Sequence, residues 1–457
     1  MTHTPRARFV WVAAAVGAAI AVFRPAAAQQ GKPGQCLLEF RGSRAGGSPT
    51  TLARFPSAPG RSNTFAGGGV DAFCSNTDQR VTSDSAEHYE DQRLLLLLGR
   101  VHYTEQRVEM TADRVTYYMG EERLVAEGNV VGRTSTGTRF RGPRAVYLRA
   151  KPGLRSRSRL DAGGRPDTWI SGADAGTSPD APDSTHVIAD SLISDNDSLV
   201  YAIGHVNIIR TDLTATSDSA MIDQGREIAS LRRTPRVEGV GEHKFTLQGV
   251  AIDVYSRNRE AERVLSSDSA RATSDNVVLK ADTIDLRLAA RQLVRAIAWG
   301  RSRALASQPG RDLIADSIDV RMPGQVLHSM TAIRRARAES APDTLKLRSK
   351  ERDWFAGDTI VASFDTSATR DTASAPLRSL VARGNAQSYQ QSARDGVPLP
   401  DTSRVINYVA GTQIVADFDQ SHALERVRVT GQVAGVIVQP SVDTARKAAP
   451  TKRPDQR

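Results

Sequence analysis

Alternating apolar and polar residues, interrupted by short polar breaks, recur along most of the chain. In the run LVAEGNV, the residues Leu124, Ala126, Gly128 and Val130 fall on one face of an extended strand. The break before it, YMGEER (118–123), has the composition of a hairpin turn. The pattern therefore predicts an all-β protein built from repeated two-strand units.

A glycine recurs in the middle of the predicted strands. Its copies are LLGRV (97–101), AEGNV (126–130), AIGHV (202–206), AWGRS (298–302), ARGNA (382–386) and VTGQV (429–433). Glycine weakens a strand because it loses much conformational entropy and packs no side chain. On the apolar face it leaves room for a bend of the sheet, a facing side chain or a ligand, and these alternatives stay open.

An aspartate precedes most of these glycines by about half a repeat. It occurs at Asp84, Asp113, Asp190, Asp218, Asp282, Asp316, Asp358 and Asp417. Asp113 stands 15 residues before Gly128 and Asp417 stands 14 before Gly431, whereas Asp316 has no clear glycine partner. We expect these aspartates to cap turns where strands open, since no glycine-rich calcium repeat accompanies them.

The paired signature resembles the OstA-like family, periplasmic proteins of lipopolysaccharide transport. It is carried by Ala112, Asp113, Val115, Tyr117, Leu124, Ala126, Gly128, Asn129 and Val130, and recurs over about 81–440. The resemblance implies an elongated open β-jellyroll, a trough that holds lipid A acyl chains and belongs to outer-membrane biogenesis. It also implies lipopolysaccharide or a related glycolipid as cargo, and edge-to-edge joints with other jellyroll-containing transport proteins at the inner and outer membranes. End-to-end association between copies of the chain is a further expectation.

The apolar faces of the repeats are the candidate lipid-binding lining of that trough. These residues are Val115, Leu124, Ala126, Val130, Leu192, Val200, Ala202, Val206, Ile284, Leu286, Ile318, Val320, Val427 and Val429. Each methylene moved from water into a dry groove gains about 0.8 kcal/mol, and similar contacts spread along a groove allow a chain to slide. The alternative is that the same residues form the closed core of a β-sandwich.

Basic residues exceed acidic ones and give a formal net charge of +10. Between 133 and 159 there is no acidic residue, and Arg133, Arg139, Arg141 and Arg144 are candidates for contacts with lipid phosphates. A solvated basic loop is the other interpretation. Nucleic acid is not an expected partner, because aromatic residues are not interleaved with the arginines and the chain is predicted to be exported.

The N-terminal residues predict export to the periplasm, and association with the outer membrane is a further expectation. Residues 1–28 resemble a cleaved signal peptide, and retention of the apolar run 9–23 as an anchor is the alternative. Residues 29–80 form a Gly/Pro/Ser-rich segment in which a disulfide between Cys36 and Cys74 is expected. The first repeats occupy 81–150, a flexible basic insertion 151–185, further repeats 186–440 and a disordered tail 441–457.

The sequence contains none of the common catalytic motifs: no phosphate-binding loop, HExxH, CxxC or GxSxG. We therefore expect a non-enzymatic protein with no catalytic residue, no metal and no cofactor. The alternative is an exported β-solenoid that binds polysaccharide or cleaves it as a lyase. Such a lyase would need an acid, a base and a cation on one exposed face.

Overall fold

The structure is a computed structural model, and it describes residues 38–42, 50–74, 78–170, 184–195, 198–241, 244–274, 277–366, 376–394, 402–419 and 424–439. The described chain is nearly all β-strand, with a single 3-10 turn at Pro323–Gln325. It divides into two compact units, which are described separately. Unit 1 comprises 1–240 and 251–261, and unit 2 comprises 241–250 and 262–457.

Of the strands among the described residues, nineteen lie in unit 1, β1 to β18 and β20, and the others lie in unit 2, with β21 beginning at the boundary. The first strands are β1 Leu38–Gly42, β2 Thr51–Ala58, β3 Arg61–Gly67, β4 Val70–Cys74, β5 Arg80–Ser83, β6 Ser85–Tyr89, β7 Leu94–Thr104, β8 Val108–Tyr118, β9 Arg123–Thr134, β10 Thr138–Leu148, β11 Arg159–Gly163, β12 Asp167–Ile170, β13 Thr185–Ile188, β14 Ser191–Asp195 and β15 Leu199–Ile209. The others are β16 Leu213–Asp223, β17 Ile228–Arg232, β18 Arg236–Gly239, β19 Phe245–Gln248, β20 Ala251–Arg257, β21 Glu260–Ser274, β22 Val277–Ala289, β23 Gln292–Gln308, β24 Arg311–Arg321, β25 Ser329–Ser340, β26 Asp353–Phe364, β27 Leu377–Ser392, β28 Val405–Phe418, β29 Leu424–Thr430 and β30 Ala434–Val438.

Each long strand is bent, and its two halves lie in different parts of one continuous hydrogen-bonded sheet. The first half of β7 pairs with β6, and its second half pairs with β5. In the same way β28 pairs with β30 along its first half and with β29 along its second. Within each unit we call leaf A the part of the sheet on the β6 side (unit 1) or the β29 side (unit 2) of the bends, and leaf B the part on the β5 or β30 side.

A local break in register separates the two halves of each strand. Between β8 and β9 the pairing runs from Thr111 with Val131 directly to Arg114 with Glu127. Here β9 has one residue more than β8, and its Gly128 and Asn129 both have positive φ, at 75° and 46°. Such a bulge bends a strand, so the recurrent glycine marks a corner between the leaves.

The aspartate of one strand lies against the glycine of the next at these corners. A Cβ on Gly128 would stand 2.5 Å from Asp113 Oδ2, so both the backbone conformation and the space require glycine there. The same pairing occurs for Asp84 with Gly99, Asp190 with Gly204, Asp282 with Gly300 and Asp358 with Gly384. Of the alternatives for the glycine, the structure supports two together: the strand bends there, and the aspartate is the facing side chain that occupies the space.

Three details of the repeat differ from expectation. Six of the eight aspartates lie inside strands, as Asp113 does in β8, whereas Asp84 and Asp190 directly precede β6 and β14. Asp316 faces Arg334 and Arg335, which take the two left-handed positions without a glycine. The pairing of Asp417 with Gly431 is wrong: Gly431 packs against Thr412, and Asp417 binds Arg428 instead.

The predicted flexible insertion is wrong where it can be compared with the structure. Strands β11 and β12 form a further bent strand, with its corner at Gly164 and Arg165, both of positive φ. Pro143 of β10 takes the aspartate's position against Gly164. Residues 171–183 of that segment lie outside the described residues. The Gly/Pro/Ser-rich segment also contains strands, β1 to β4.

The all-β fold with two-strand units is therefore confirmed, as a β-jellyroll. The strand ladders described in both units are antiparallel, for example β9 with β10 and β27 with β28. This pairing contradicts the β-solenoid alternative, whose strands stack in parallel. In unit 1 the two leaves share one apolar core, in which Leu95 and Leu97 of leaf A pack in the same cluster as Val101 of leaf B.

Candidate functional site

A cavity of about 670 Å³ lies between the two leaves of unit 2. It is lined by Phe355 and Phe364, which stand on opposite sides of the Asp358 corner in β26. Nine residues of straight strand would span about 30 Å, so the strand must fold back for both rings to line one cavity. The volume is within the roughly 300–1,000 Å³ range of small-molecule sites.

The two walls of this cavity differ in polarity. Leaf A contributes apolar side chains throughout: Met330, Ala362, Phe364, Leu377, Leu380, Phe418 and Leu424. Leaf B contributes Ala306, Leu313, Ala338 and Phe355, and then a polar rim at its strand ends, Gln308, Arg311, Ser340, Asp353 and Gln391. One side of the cavity can thus take only hydrocarbon, while the other offers hydrogen-bonding and charged groups.

The loop 341–352 lies along the rim of leaf B and closes part of the cavity. Leu347 of this loop is buried and lines the cavity. The loop is held in place by hydrogen bonds, in which Ser349 Oγ donates to Gln391 Oε1 (2.6 Å) and Gln391 Nε2 donates to the Glu351 carbonyl (2.9 Å). The loop therefore forms a fixed polar and apolar margin of the cavity.

In unit 1 a polar network bridges the free ends of the two leaves. Arg149, at the end of leaf A, donates to Glu105 of leaf B at 2.8 Å and to Glu122 at 2.9 Å. Tyr103 donates to Glu105 at 2.9 Å, and the Tyr147 hydroxyl also binds Glu105. Glu105 is only 6% exposed, so its charge depends on these partners.

The same network shifts the pKa values of its members. Burial is the largest cause that raises the pKa of Tyr103 and Tyr147, and the nearby Glu105 charge raises both further. Burial lowers the pKa of Arg149, but Tyr103 and Glu105 outweigh it and the pKa is raised. The tyrosines therefore stay neutral donors and Arg149 stays charged.

A second bridge in unit 1 lies farther along the chain. Arg210 binds Asp212 at 2.9 Å on leaf B, and donates across to Ser256 Oγ of leaf A at 2.9 Å. The Ala261 N–H donates to Asp212 Oδ2 at 2.7 Å. Beneath Arg210, Leu213 and Leu231 border a smaller cavity of about 200 Å³.

Most of the predicted lining residues are buried between the leaves. The twelve with relative exposures of 2% or less are Val115, Leu124, Ala126, Val130, Leu192, Val200, Ala202, Val206, Ile284, Leu286, Ile318 and Val320. Val427 and Val429 are half-buried on β29. None of the fourteen lines the 670 Å³ cavity. The twelve buried ones form close-packed interior. The cavity residues were missed because periodicity identifies an inward side chain but does not show whether empty space lies beside it.

The predicted phosphate contacts lie on the outer face of unit 1. Arg133, Arg141 and Arg144 are exposed and Arg139 is half-buried, while Phe140 between them is buried. Arg133 and Arg139 are directly opposite each other across β9 and β10. Arg144 stands 3.9 Å from Glu127. The structure brings these arginines together on adjacent strands, facing away from the interior.

Two other expectations concern small sites. Cys74 is disulfide-bonded, and Cys36, the other cysteine of the chain, lies outside the described residues. The corner aspartates bind the neighbouring strand: Asn129 donates to Asp113 at 2.8 Å, and His205 Nδ1 is 2.7 Å from Asp190. Within the described ranges, no group of three His, Cys, Asp or Glu side chains is arranged to hold a metal ion.

The predicted signal peptide, its alternative as an anchor at 9–23 and the tail 441–457 all lie outside the described residues. Among the residues that the structure describes, no helix is long and apolar enough to cross a membrane.

The likeness of the chain to known proteins is weak. No protein-family model and no curated protein matches the chain. Among solved structures, the chain is similar to LptH of Pseudomonas aeruginosa, described as the LptA homologous periplasmic component of the conserved lipopolysaccharide transport device. The identity is 16%, the match covers 36% of this chain and 96% of that one, and the TM-score is 0.18. A likeness of this size does not bear on function.

Proposed function

We propose that the protein is a non-enzymatic periplasmic carrier of lipopolysaccharide transport, which holds acyl chains between the leaves of its β-jellyroll. The observation that carries the proposal is the 670 Å³ cavity of unit 2, whose leaf A wall is entirely apolar. A hydrocarbon chain that fills such a space gains about 0.8 kcal/mol for each buried methylene. The OstA-like signature of the sequence supports the same function.

The corner repeat supports transport rather than fixed storage. Successive strands of leaf A present apolar side chains to the cavity, such as Met330, Ala362 and Leu380, which are opposite one another across β25, β26 and β27. An acyl chain that moves from one hairpin to the next exchanges one set of apolar contacts for an equivalent set. The barrier to such movement is low when dispersion contacts are individually weak.

Terminal strands offer sites for partner proteins of the same architecture. On β30, Val436 and Ile437 are 58% and 67% exposed, and β30 pairs with β28 on one side. At the other end of the chain, Leu52 and Phe55 of β2 are likewise exposed. Added strands bind such edges through backbone hydrogen bonds, so these edges are the proposed joints.

The outward Arg133, Arg139, Arg141 and Arg144 are the proposed contacts for phosphates.

Two adjacent aromatic residues of β26 provide a matched test. Phe355 faces the cavity, and Trp354 faces outward beneath the Arg337 guanidinium, 4.3 Å from its ring centroid. Benzoylphenylalanine would replace each in turn in the full chain, expressed in a lipopolysaccharide-producing bacterium. We expect glycolipid to be captured from position 355 and not from position 354. Capture of protein alone from 355, or equal capture of glycolipid from both positions, would contradict the proposal.

A further inference from the structure

Arg311 is an inward-facing guanidinium at the rim of the unit 2 cavity. Side chains alternate along β24, and Leu313 and Ala315 of this strand are buried between the leaves. Arg311 is two residues before Leu313, so its side chain lies on the same face of the strand, and both residues line the cavity. Its aliphatic stem extends the apolar wall, and its charged end lies at the mouth.

The neighbouring charges at this rim already have partners. Arg352 binds Asp312 at 2.9 Å and approaches Glu339 to 3.6 Å. Lys346 lies 3.4 Å from Asp343. The inward carboxylate of Asp353 accepts from the Gln391 backbone N–H at 2.9 Å. Each of these four carboxylates therefore has a partner, a cation for Asp312, Glu339 and Asp343 and a neutral backbone amide for Asp353.

Arg311 itself has no ion pair with any of the described residues. Asp353 is two strands away, since Arg311 is opposite Ser340 and Ser340 is opposite Asp353, a separation of about 10 Å. Burial, with no charged neighbour to offset it, lowers the pKa of Arg311. A guanidinium stays charged in a protein, so the fold keeps a partly desolvated cation at this position.

We propose that Arg311 binds the anionic headgroup of a single-chain amphiphile whose hydrocarbon fills the unit 2 cavity. The headgroup is a carboxylate or a phosphate, because the guanidinium fork matches both with two parallel hydrogen bonds. Ser340 and Gln308, opposite Arg311 on the flanking strands, supply further polar groups at the rim. The proposal rests on the proposed function, since it adds a headgroup contact to the same hydrocarbon site.

The test compares two fluorescent probes of equal chain length, a fatty acid and the corresponding fatty alcohol, titrated against the full chain. The wild-type protein is expected to bind the acid about tenfold or more tightly than the alcohol, as one charge-assisted contact predicts. Arg311→Gln is expected to abolish that preference and leave the alcohol affinity unchanged. Arg321→Gln, at the exposed end of the same strand, is the matched control and should keep the preference.

The outcomes separate this inference from the proposed function. Equal wild-type affinities for acid and alcohol would overturn the role of Arg311 and leave the hydrocarbon site in place. Failure of both probes to bind would overturn the hydrocarbon site itself. The wild-type comparison needs no variant, so it decides the question even if Arg311→Gln does not fold.

Displacement of the fatty acid probe then identifies the source of the headgroup. A phosphorylated glycolipid and its dephosphorylated form are the two competitors. Displacement by the phosphorylated form alone, lost in Arg311→Gln, assigns a lipid phosphate. Displacement by neither form, with the acid preference intact, assigns a free fatty acid carboxylate.

Discussion

The two units share one folding rule and differ in what lies between their leaves. In unit 1, Arg149 and Arg210 bridge the free ends of the leaves, and the cavity beneath Arg210 is only about 200 Å³. In unit 2 the leaves enclose about 670 Å³. The corners therefore fix the architecture, whereas side chains at the strand ends decide whether the interior is packed or can receive a ligand.

The largest effect is expected from breaking the bridge in unit 1. Arg149→Met leaves Glu105 buried without its cation, which should cost about 3 kcal/mol. Arg352→Met in unit 2 removes a more exposed cation, at 37%, and should cost less than about 1 kcal/mol. Hydrogen exchange of β8 to β10 and of β24 to β26 measures both. Equal losses in the two units would remove the distinction between them.

Enlarging an alanine should have opposite consequences in the two interiors. Ala126 is fully buried among packed neighbours in unit 1, so Ala126→Leu should destabilise that unit by about 1–3 kcal/mol. Ala362 lines the unit 2 cavity, so Ala362→Leu should be tolerated and should weaken hydrocarbon binding. Thermal unfolding and probe titration check the pair. Severe destabilisation by Ala362→Leu would mean that the cavity is not available space.

Corner substitutions should act alike in both units. Gly128→Ala and Gly384→Ala each place a Cβ at positive φ and against an aspartate, so each should cost at least about 1–2 kcal/mol. Arg334→Gly should do the reverse, because it relieves a left-handed non-glycine residue (φ 62°) at the Asp316 corner, by up to about 1 kcal/mol. Urea denaturation measures all three, and a destabilised Arg334→Gly would contradict this interpretation of the corner.

Alkaline pH should weaken unit 1 more than unit 2. Burial raises the pKa of Tyr103, Tyr117 and Tyr147 in the folded state above the ordinary value of 10. The stability they contribute is therefore complete below about pH 10 and is lost as the pH rises above it. Hydrogen exchange of β8 to β10 at increasing pH, corrected for the intrinsic exchange rate, measures the loss. Tyr147→Phe should reduce the pH dependence, and an unchanged dependence would show that Tyr147 does not contribute.

Much of the fold was predictable because glycine at positive φ and its facing aspartate leave a strict sequence signature. That signature is missing where other residues occupy the corner positions. Pro143 and Thr412 replace the aspartate, and Arg334 replaces the glycine. For this reason the sequence pairs Gly431 with Asp417, whereas the structure pairs it with Thr412. Asp417 has the residue type typical of a corner, and Thr412 does not.

Less of the candidate site was predictable. Alternation correctly placed Ala126 and Ile318 inside, but whether an interior position is packed depends on the distance between two leaves. The bridge between Arg149 and Glu105 joins residues 44 apart, and no local pattern relates them. Arg311 is one arginine among many in the sequence. Its proposed role depends on the structure, which places it on the same strand face as Leu313 and beside the cavity.

The central claim is that hydrocarbon lies between the leaves of unit 2. A crystal structure of the full chain with a fatty acid brominated along its chain would test it most directly, because bromine gives an anomalous signal at its own position. The account predicts bromine peaks between Phe355 of leaf B and Leu380 of leaf A. Peaks confined to the outer faces of the sheets, or an empty cavity at saturating ligand, would contradict it.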